Sequence, residues 1–239
     1  VIVLFTDFGL EGPYTGQVQA VLQQQAPAIP VINLFSDLTP FDIQSAAYLL
    51  PAYAAGFPPG AVFVCVVDPD VGGDRQGVVV QADGRWYVGP DAGLFALVTR
   101  RAQSVQTFRL PDVAGASPSF HGRDVFAPAA AFIARNGRLP GGCEPCAAGT
   151  RADWQDDLSR VVYIDHYGNA ITGLRTTGIP ETATLIVNDH AIKRAQTFSD
   201  VPEGEVFWYG NANGLVEIAV NRGRADALPG IRVGAAVDI

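Results

Sequence analysis

The sequence predicts a two-part protein: an N-terminal α/β domain with a mostly parallel sheet flanked by helices, and a C-terminal antiparallel β-barrel domain. Three observations predict it. Through the first half, unbroken apolar runs (residues 1–5, 31–35 and 61–67) alternate with stretches of helical spacing, the pattern of parallel strands covered on both faces. Residues 139–157 are then rich in Pro, Gly, Cys and Asp and show no periodicity. Beyond them come short strands separated by turns, with no helix of note. The expected boundaries are 1–140 for the first domain, 141–157 for a linker and 158–239 for the second.

Residues 1–5 form the first strand, closed by Thr6-Asp7-Phe8-Gly9. Asp7 therefore stands at the strand's carboxyl edge, placed to accept hydrogen bonds from a ribose diol or to serve a turn. Residues 14–25 carry Val18, Val21 and Leu22 on one helical face and stop at Ala26-Pro27. After the 31–35 strand, Thr39-Pro40-Phe41-Asp42 opens a helix over 43–55. Phe41 is either the wall of a pocket or a residue stapled onto its own helix.

The turn Phe57-Pro58-Pro59-Gly60 leads into the 61–67 strand, and the loop Asp68-Pro69-Asp70-Val71-Gly72-Gly73-Asp74-Arg75 leaves it. That loop puts a carboxylate at a strand end and a guanidinium after a glycine pair, a setting for a small reactive group or a simple surface ion pair. Residues 76–82 and 85–88 form a hairpin about Asp83-Gly84. Gly89-Pro90-Asp91 turns into a helix reaching Arg100, with Asp91 in a capping position. A short strand covers 105–110. In Phe120-His121-Gly122-Arg123-Asp124, His121 and Gly122 precede an alanine-rich helix over 129–134, and Arg123 and Asp124 can pair to hold the loop.

The second half reads as strands over 160–165, 185–187, 205–209, 215–220 and 231–239. Two of its loops carry chemistry, Tyr163-Ile164-Asp165-His166-Tyr167-Gly168-Asn169 and Tyr209-Gly210-Asn211-Ala212-Asn213-Gly214. They offer an acid, aromatic rings and amides, or plain hairpin turns.

The 239 residues are 48% hydrophobic and 17% charged, with a formal net charge of −8, the composition of an ordered globular protein. Its arginines are scattered and form no basic stripe, which argues against nucleic acid and anionic membrane as partners. No apolar run reaches the roughly 18 residues of a membrane span, and the start has no basic flank, so a cytoplasmic location is expected. Cys65 reads as a small buried hydrophobe. Cys143-Glu144-Pro145-Cys146 lacks the further ligands of a zinc site and the setting of a thioredoxin-type motif. It reads as a loop with two incidental thiols, reduced or oxidised, and no metal is expected.

Taken as an ordered series, these stretches resemble the S-adenosyl-L-methionine hydroxide adenosyltransferase family, relatives of the fluorinases and chlorinases. The series is Thr6-Asp7-Phe8-Gly9, Thr39-Pro40-Phe41-Asp42, Val67-Asp68-Pro69 with Val71-Gly72 and Arg75, Val88-Gly89-Pro90-Asp91, Phe120-His121-Gly122-Arg123-Asp124, Ile164 to Asn169, and Asn213-Gly214-Leu215. The resemblance implies a homotrimer whose sites lie between one subunit's N-terminal domain and its neighbour's C-terminal domain. It implies hydrolysis of S-adenosyl-L-methionine at C5′ to adenosine and L-methionine, with no cofactor. Asp68, Arg75 and His121 would activate the water. Asp7 would bind the ribose hydroxyls and Phe41 would wall the ribose. Asp165 would meet the methionine ammonium, Tyr167 and Phe198 would sandwich the adenine, and Asn169 with the backbone at Val220 and Arg222 would hold its edge. Ala212 and Asn213 stand where the halogenases have Ser-Arg for the methionine carboxylate, so Asn213 would meet that group differently. Two alternatives remain at this level. One is a halogenase, disfavoured because an anionic Asp68 at the nucleophile's seat repels halide. The other is a non-catalytic protein that binds adenosine or S-adenosylmethionine.

Overall fold

The computed structural model describes residues 1–147 and 150–239; residues 148 and 149, inside the expected linker, lie outside them. The chain forms two compact units, Val1–Leu50 with Phe57–Asp153, and Pro51–Gly56 with Trp154–Ile239.

The first unit follows the expected alternation. β1 (Ile2–Thr6) leads to α1 (Tyr14–Gln25), β2 (Val31–Phe35) to α2 (Ile43–Ala54), whose residues from Pro51 on belong to the second unit, and β3 (Val62–Val66) to the hairpin β4 (Gly77–Ala82) and β5 (Arg85–Pro90). α3 (Ala96–Arg101), β6 (Val105–Arg109), a π-helical turn (Gly122–Phe126), α4 (Ala127–Asn136) and β7 (Glu144–Pro145) complete it. The strands form one sheet in the order β2-β1-β3-β5-β4-β6-β7. β2, β1, β3 and β5 pair in parallel, and the pairings β5–β4, β4–β6 and β6–β7 are antiparallel.

β1 and β3 are buried at every position, which is why their sequences show no polar alternation. One face, with Ile2, Leu4, Val62 and Val64, packs against Val18 and Leu22 of α1 and Ala127, Ala130 and Ile133 of α4. α3 starts five residues later than Asp91; its N-cap is Phe95, so Asp91 does not cap it. The stretch read as patternless contributes β7, which adds to β6 through Phe108↔Pro145 and Arg109↔Glu144.

The second unit carries two sheets. β8 (Leu158–Ile164), β9 (Ala170–Arg175), β12 (Val206–Gly210) and β13 (Leu215–Val220) form an antiparallel sheet in the order β12-β13-β9-β8, and β10 (Leu185–Val187) pairs with β11 (His190–Ile192). Neither sheet closes into a barrel by its own ladders. Single bridges join Arg160 to Ala236, Ile186 to Asp238 and Arg194 to Trp208. Two strands depart from expectation. β9 is buried through Leu174 and so lacks the alternation of a half-buried strand. The run 231–239 forms only isolated bridges, because Gly230 and Gly234 turn the chain at φ +83° and +86°. The unit's core gathers Val161, Ala170, Leu174, Leu185, Trp208, Val216 and Ile218.

Candidate active site

The chain runs from β1 to β2 on one side and returns to β3 on the other, so a topological switch point lies between the carboxyl ends of β1 and β3. That is where open α/β sheets hold ligands. Two predicted carboxylates leave from there. Asp7 follows β1, its N–H donating to the Val66 carbonyl at 3.2 Å, and Asp68 lies just beyond β3. They share a cavity of about 330 Å³ with His121, Phe41, Phe8, Tyr14 and Phe120. His121 arrives from the far end of the unit's sequence because it caps the π-helical turn ahead of α4. π turns in helices recur at functional sites.

Arg75 does not line the cavity itself. It reaches it through Asp68, with which it forms an ion pair that leaves the two side chains 16% and 8% exposed. A second bond, 3.1 Å to Asp70, goes to a carboxylate that is 77% exposed. Burial pushes the guanidinium below its ordinary proton affinity, and the charge of Asp91 works the other way. The loop between them needs Gly72: its φ is +86°, and a Cβ there would come within 2.5 Å of the Pro118 carbonyl oxygen. Arg123 and Asp124 hold the neighbouring loop, paired at 2.6 and 2.8 Å. Asp124 also accepts the Ser117 N–H at 2.9 Å, and the Arg123 hydrogen bond is the main cause of its lowered pKa.

Phe41 is 71% exposed, which excludes the staple onto its own helix. Its φ of +65° is uncommon for a bulky residue. The Asp7 carboxylate accepts its N–H at 3.1 Å, while Asp42 caps α2 by accepting from Ser45 at 2.9 and 2.6 Å. Burial raises the Asp7 pKa, opposed in part by the Phe41 N–H. The rings of Phe8, Tyr14 and Phe120, with centroids 5.4 to 6.2 Å apart and Phe120 edge-on to the other two, close one side. A Cβ at Gly122 would come to 3.0 Å from the tip of the Phe8 ring, so a larger residue there would have to push that ring aside. Sequence reasoning does not single out these three aromatics. Phe8 and Phe120 adjoin motif residues, and that adjacency is the available signal.

The remaining predicted residues except Asn213 gather in the second unit, around a cavity of about 630 Å³ lined by Asp165, Tyr167, Asn169, Phe198, Val220 and Arg222. Asp165 and Asn169 close the β8–β9 hairpin on each other: Asp165 accepts the Asn169 N–H at 2.8 Å and its amide at 3.0 Å. Tyr167 projects from the tip, 73% exposed. Phe198 is held edge-on to Phe207 and Tyr209 at 5.1 and 5.6 Å. Arg222 sits at φ +53° and pairs with Glu203 at 3.1 Å. Asn213 is not in this lining. Its backbone N–H donates to the Asn211 side chain at 3.0 Å, and its side chain bonds the Tyr53 phenol.

Two lining residues, Glu217 and Tyr209, escape notice in the sequence because each reads as ordinary strand composition. Glu217, 5% exposed, accepts the Tyr209 hydroxyl at 2.6 Å and the Asn211 amide at 3.0 Å. Burial first and Glu217 second push the Tyr53 phenol up to about 12. Burial and then the Glu217 hydrogen bond raise Tyr209 as well.

Among the described residues no three His, Cys, Asp or Glu side chains gather as a metal-ligand set. All three cysteines are free thiols. Among the described residues no helix is long and apolar enough to cross a membrane.

Comparison with known proteins places these two cavities in context. A curated (R)-S-adenosyl-L-methionine hydrolase of Thermus thermophilus is 40% identical, over 98% of this chain and 96% of that protein. Another so named, from Salinispora arenicola, is 33% identical over 96% and 93%. A fluorinase of an Actinoplanes species is 20% identical over 56% of this chain. Among solved structures, an uncharacterised conserved protein of Thermotoga maritima superposes with a TM-score of 0.87 at 25% identity, covering 99% of this chain and 98% of the other. A conserved hypothetical protein of Thermus thermophilus gives 0.77 at 37% identity, over 99% and 97%. The family models for the N-terminal and C-terminal domains of SAM hydroxide adenosyltransferase match residues 2–141 and 159–238, and the chain belongs to that family.

Proposed function

We propose that this chain hydrolyses S-adenosyl-L-methionine, taking the (R)-sulfonium epimer named in its relatives, to adenosine and L-methionine. The observation that carries this is the presence of Asp68 and His121 in the lining of one cavity with Arg75 bound to Asp68. A sulfonium needs no general acid to leave, so what the site supplies is a nucleophile held in line with C5′. The water oxygen bonds C5′ as the C5′–S bond breaks, and the electron pair of the broken bond stays on sulfur as the thioether of methionine. The water's proton passes to the Asp68–His121 side of the cavity, and Arg75 stabilises the developing hydroxide. Asp7 accepts from the ribose hydroxyls and Phe41 walls the ribose. No cofactor takes part.

In the second unit, Tyr167 and Phe198 stack the adenine. Asn169, whose amide nitrogen already serves Asp165, offers its oxygen to the purine edge, and the backbone at Val220 and Arg222 completes the contact. Asp165 receives the ammonium, and the Asn213 turn receives the carboxylate through polar contacts rather than an ion pair. We read the complete site as assembled in a homotrimer, the first unit of one subunit with the second unit of its neighbour. Support comes from the division of the predicted residues between two cavities, each within its own unit. We also read the second unit as a barrel, traced through the single bridges of 236 and 238 and of Arg194–Trp208, and the free thiols as fitting the reducing cytoplasm.

The test is incubation with each sulfonium epimer in oxygen-18 water. Adenosine labelled at the 5′-hydroxyl, with unlabelled methionine, is the expected result. Absence of adenosine, label in methionine, or undiminished turnover by Asp68→Asn would each end the proposal. A halide-dependent 5′-halo product would favour the halogenase, against which Asp68 speaks.

A further inference from the structure

Asp91 has no part in the chemistry above and does not cap α3, whose N-cap is Phe95. Its place in the sheet gives it another task. β3, β5 and β4 are neighbours, with β5 parallel to β3 and β4 antiparallel to β5. The ends of β3 and β5 and the start of β4 therefore lie on one sheet edge. Asp68 follows β3, Asp91 follows β5 directly, and Arg75 precedes β4 by two residues. The β4–β5 ladder continues past Gly77↔Pro90, where the Asp91 N–H donates to the Gln76 carbonyl at 3.0 Å. Residue 91 thus stands opposite the immediate neighbour of Arg75.

Arg75 needs such a neighbour. It ends a loop whose Gly72 and Gly73 contribute no side chains to packing. Its second ion-pair partner, Asp70, is 77% exposed, and an exposed carboxylate restrains a guanidinium weakly. We propose that Asp91, fixed at the end of β5, is a positioning residue that keeps the Arg75 guanidinium at the sheet edge against Asp68, where its charge meets the reacting water. The electrostatics agree: Asp91 is the charge that opposes the effect of burial on Arg75. The proposal rests on the assignment of Arg75 to water activation.

The experiment compares wild type with Asp91→Asn and Asp91→Glu. It measures kcat and KM for S-adenosylmethionine, adenosine affinity by calorimetry, and hydrogen exchange of the Arg75 Nε–H by nitrogen-15 NMR, the resonance assigned by its loss in Arg75→Lys. Asp91→Asn should lose about tenfold in kcat, as outer partners of reacting groups commonly do, with KM and adenosine affinity unchanged within about twofold. Its Arg75 Nε–H should exchange faster, and Asp91→Glu should restore most of both. Wild-type kcat in Asp91→Asn overturns the proposal, and so does a loss of kcat with unchanged Nε–H exchange. If wild type releases no adenosine, the hydrolase assignment fails on its own, and the exchange rates still decide for or against Asp91 as the group that holds Arg75. Should Asp91→Asn not fold, Asp91→Ser carries the same comparison.

Discussion

Replacing Asp68 with alanine strands Arg75. The two side chains are 8% and 16% exposed, so the pair is largely buried. Removing one member of such a pair costs roughly 3–5 kcal/mol, because the survivor stays charged and desolvated. Here Arg75 keeps Asp70 at 3.1 Å, a contact weakened by its exposure, and the charge of Asp91, and the pair borders an open crevice. About 2–3 kcal/mol is therefore expected for Asp68→Ala, and a similar loss for Arg75→Met. The double variant leaves no unpaired charge at the Asp68–Arg75 contact, so it should be more stable than the sum of the two losses allows, with a coupling of about 2 kcal/mol. Urea unfolding measures this. Because the two units can unfold separately, hydrogen exchange in the β3 peptide identifies the transition that belongs to the first unit. Additive losses, within about 0.5 kcal/mol, would refute the claim that this ion pair is a desolvated unit.

Gly89→Ala should fail to accumulate as folded protein: a Cβ there would overlap the Cys65 carbonyl oxygen and sit 3.1 Å from the Phe95 ring, and a thermal melt of any recovered protein would show the loss. Asp7→Asn should stabilise the protein at neutral pH while weakening adenosine binding. Burial holds the folded-state pKa of Asp7 above its ordinary 3.8, so ionised Asp7 disfavours folding. That cost fades as pH falls through the raised value and is gone below 3.8, where folded and unfolded chains are both protonated. Denaturation at a series of pH values should therefore show the Asn variant's advantage at neutral pH vanishing in acid. Glu217→Gln should let the Tyr53 phenol ionise below its value of about 12, and only in part, since burial is the larger cause; ultraviolet difference titration reads it.

Sequence alone goes far toward the fold because its signals are local. The all-apolar runs of β1 and β3 have no polar face to display, so they announce strands covered on both sides. α1 is legible to its last residue, Gln25, because Ala26-Pro27 stops it. Asp7, Asp68 and His121 stand out because each lies at a strand end or a helix start, where polar residues interrupt an apolar pattern, whereas Phe198, Val220 and Arg222 are named only through the family resemblance. β9 escapes such a reading because its buried run carries Thr172 and Gly173, so it is neither alternating nor continuously apolar. β7 escapes it because two residues carry no periodicity, and only pairing with β6 makes them a strand.

What the chain's order of residues determined was the inventory: which segments are strands and helices, and which carboxylates, rings and imidazole stand at their ends. Tertiary structure decided which of these meet. The order β2-β1-β3-β5 brings Asp7 and Asp68, far apart in sequence, to adjacent strand ends, and α4 delivers His121 to the same cavity. It also turned Asp91 from an apparent helix cap into a neighbour of Arg75. The physical reason is that strand and helix formation follow from nearby residues, whereas convergence at a sheet edge follows from long-range pairing, which no local pattern encodes.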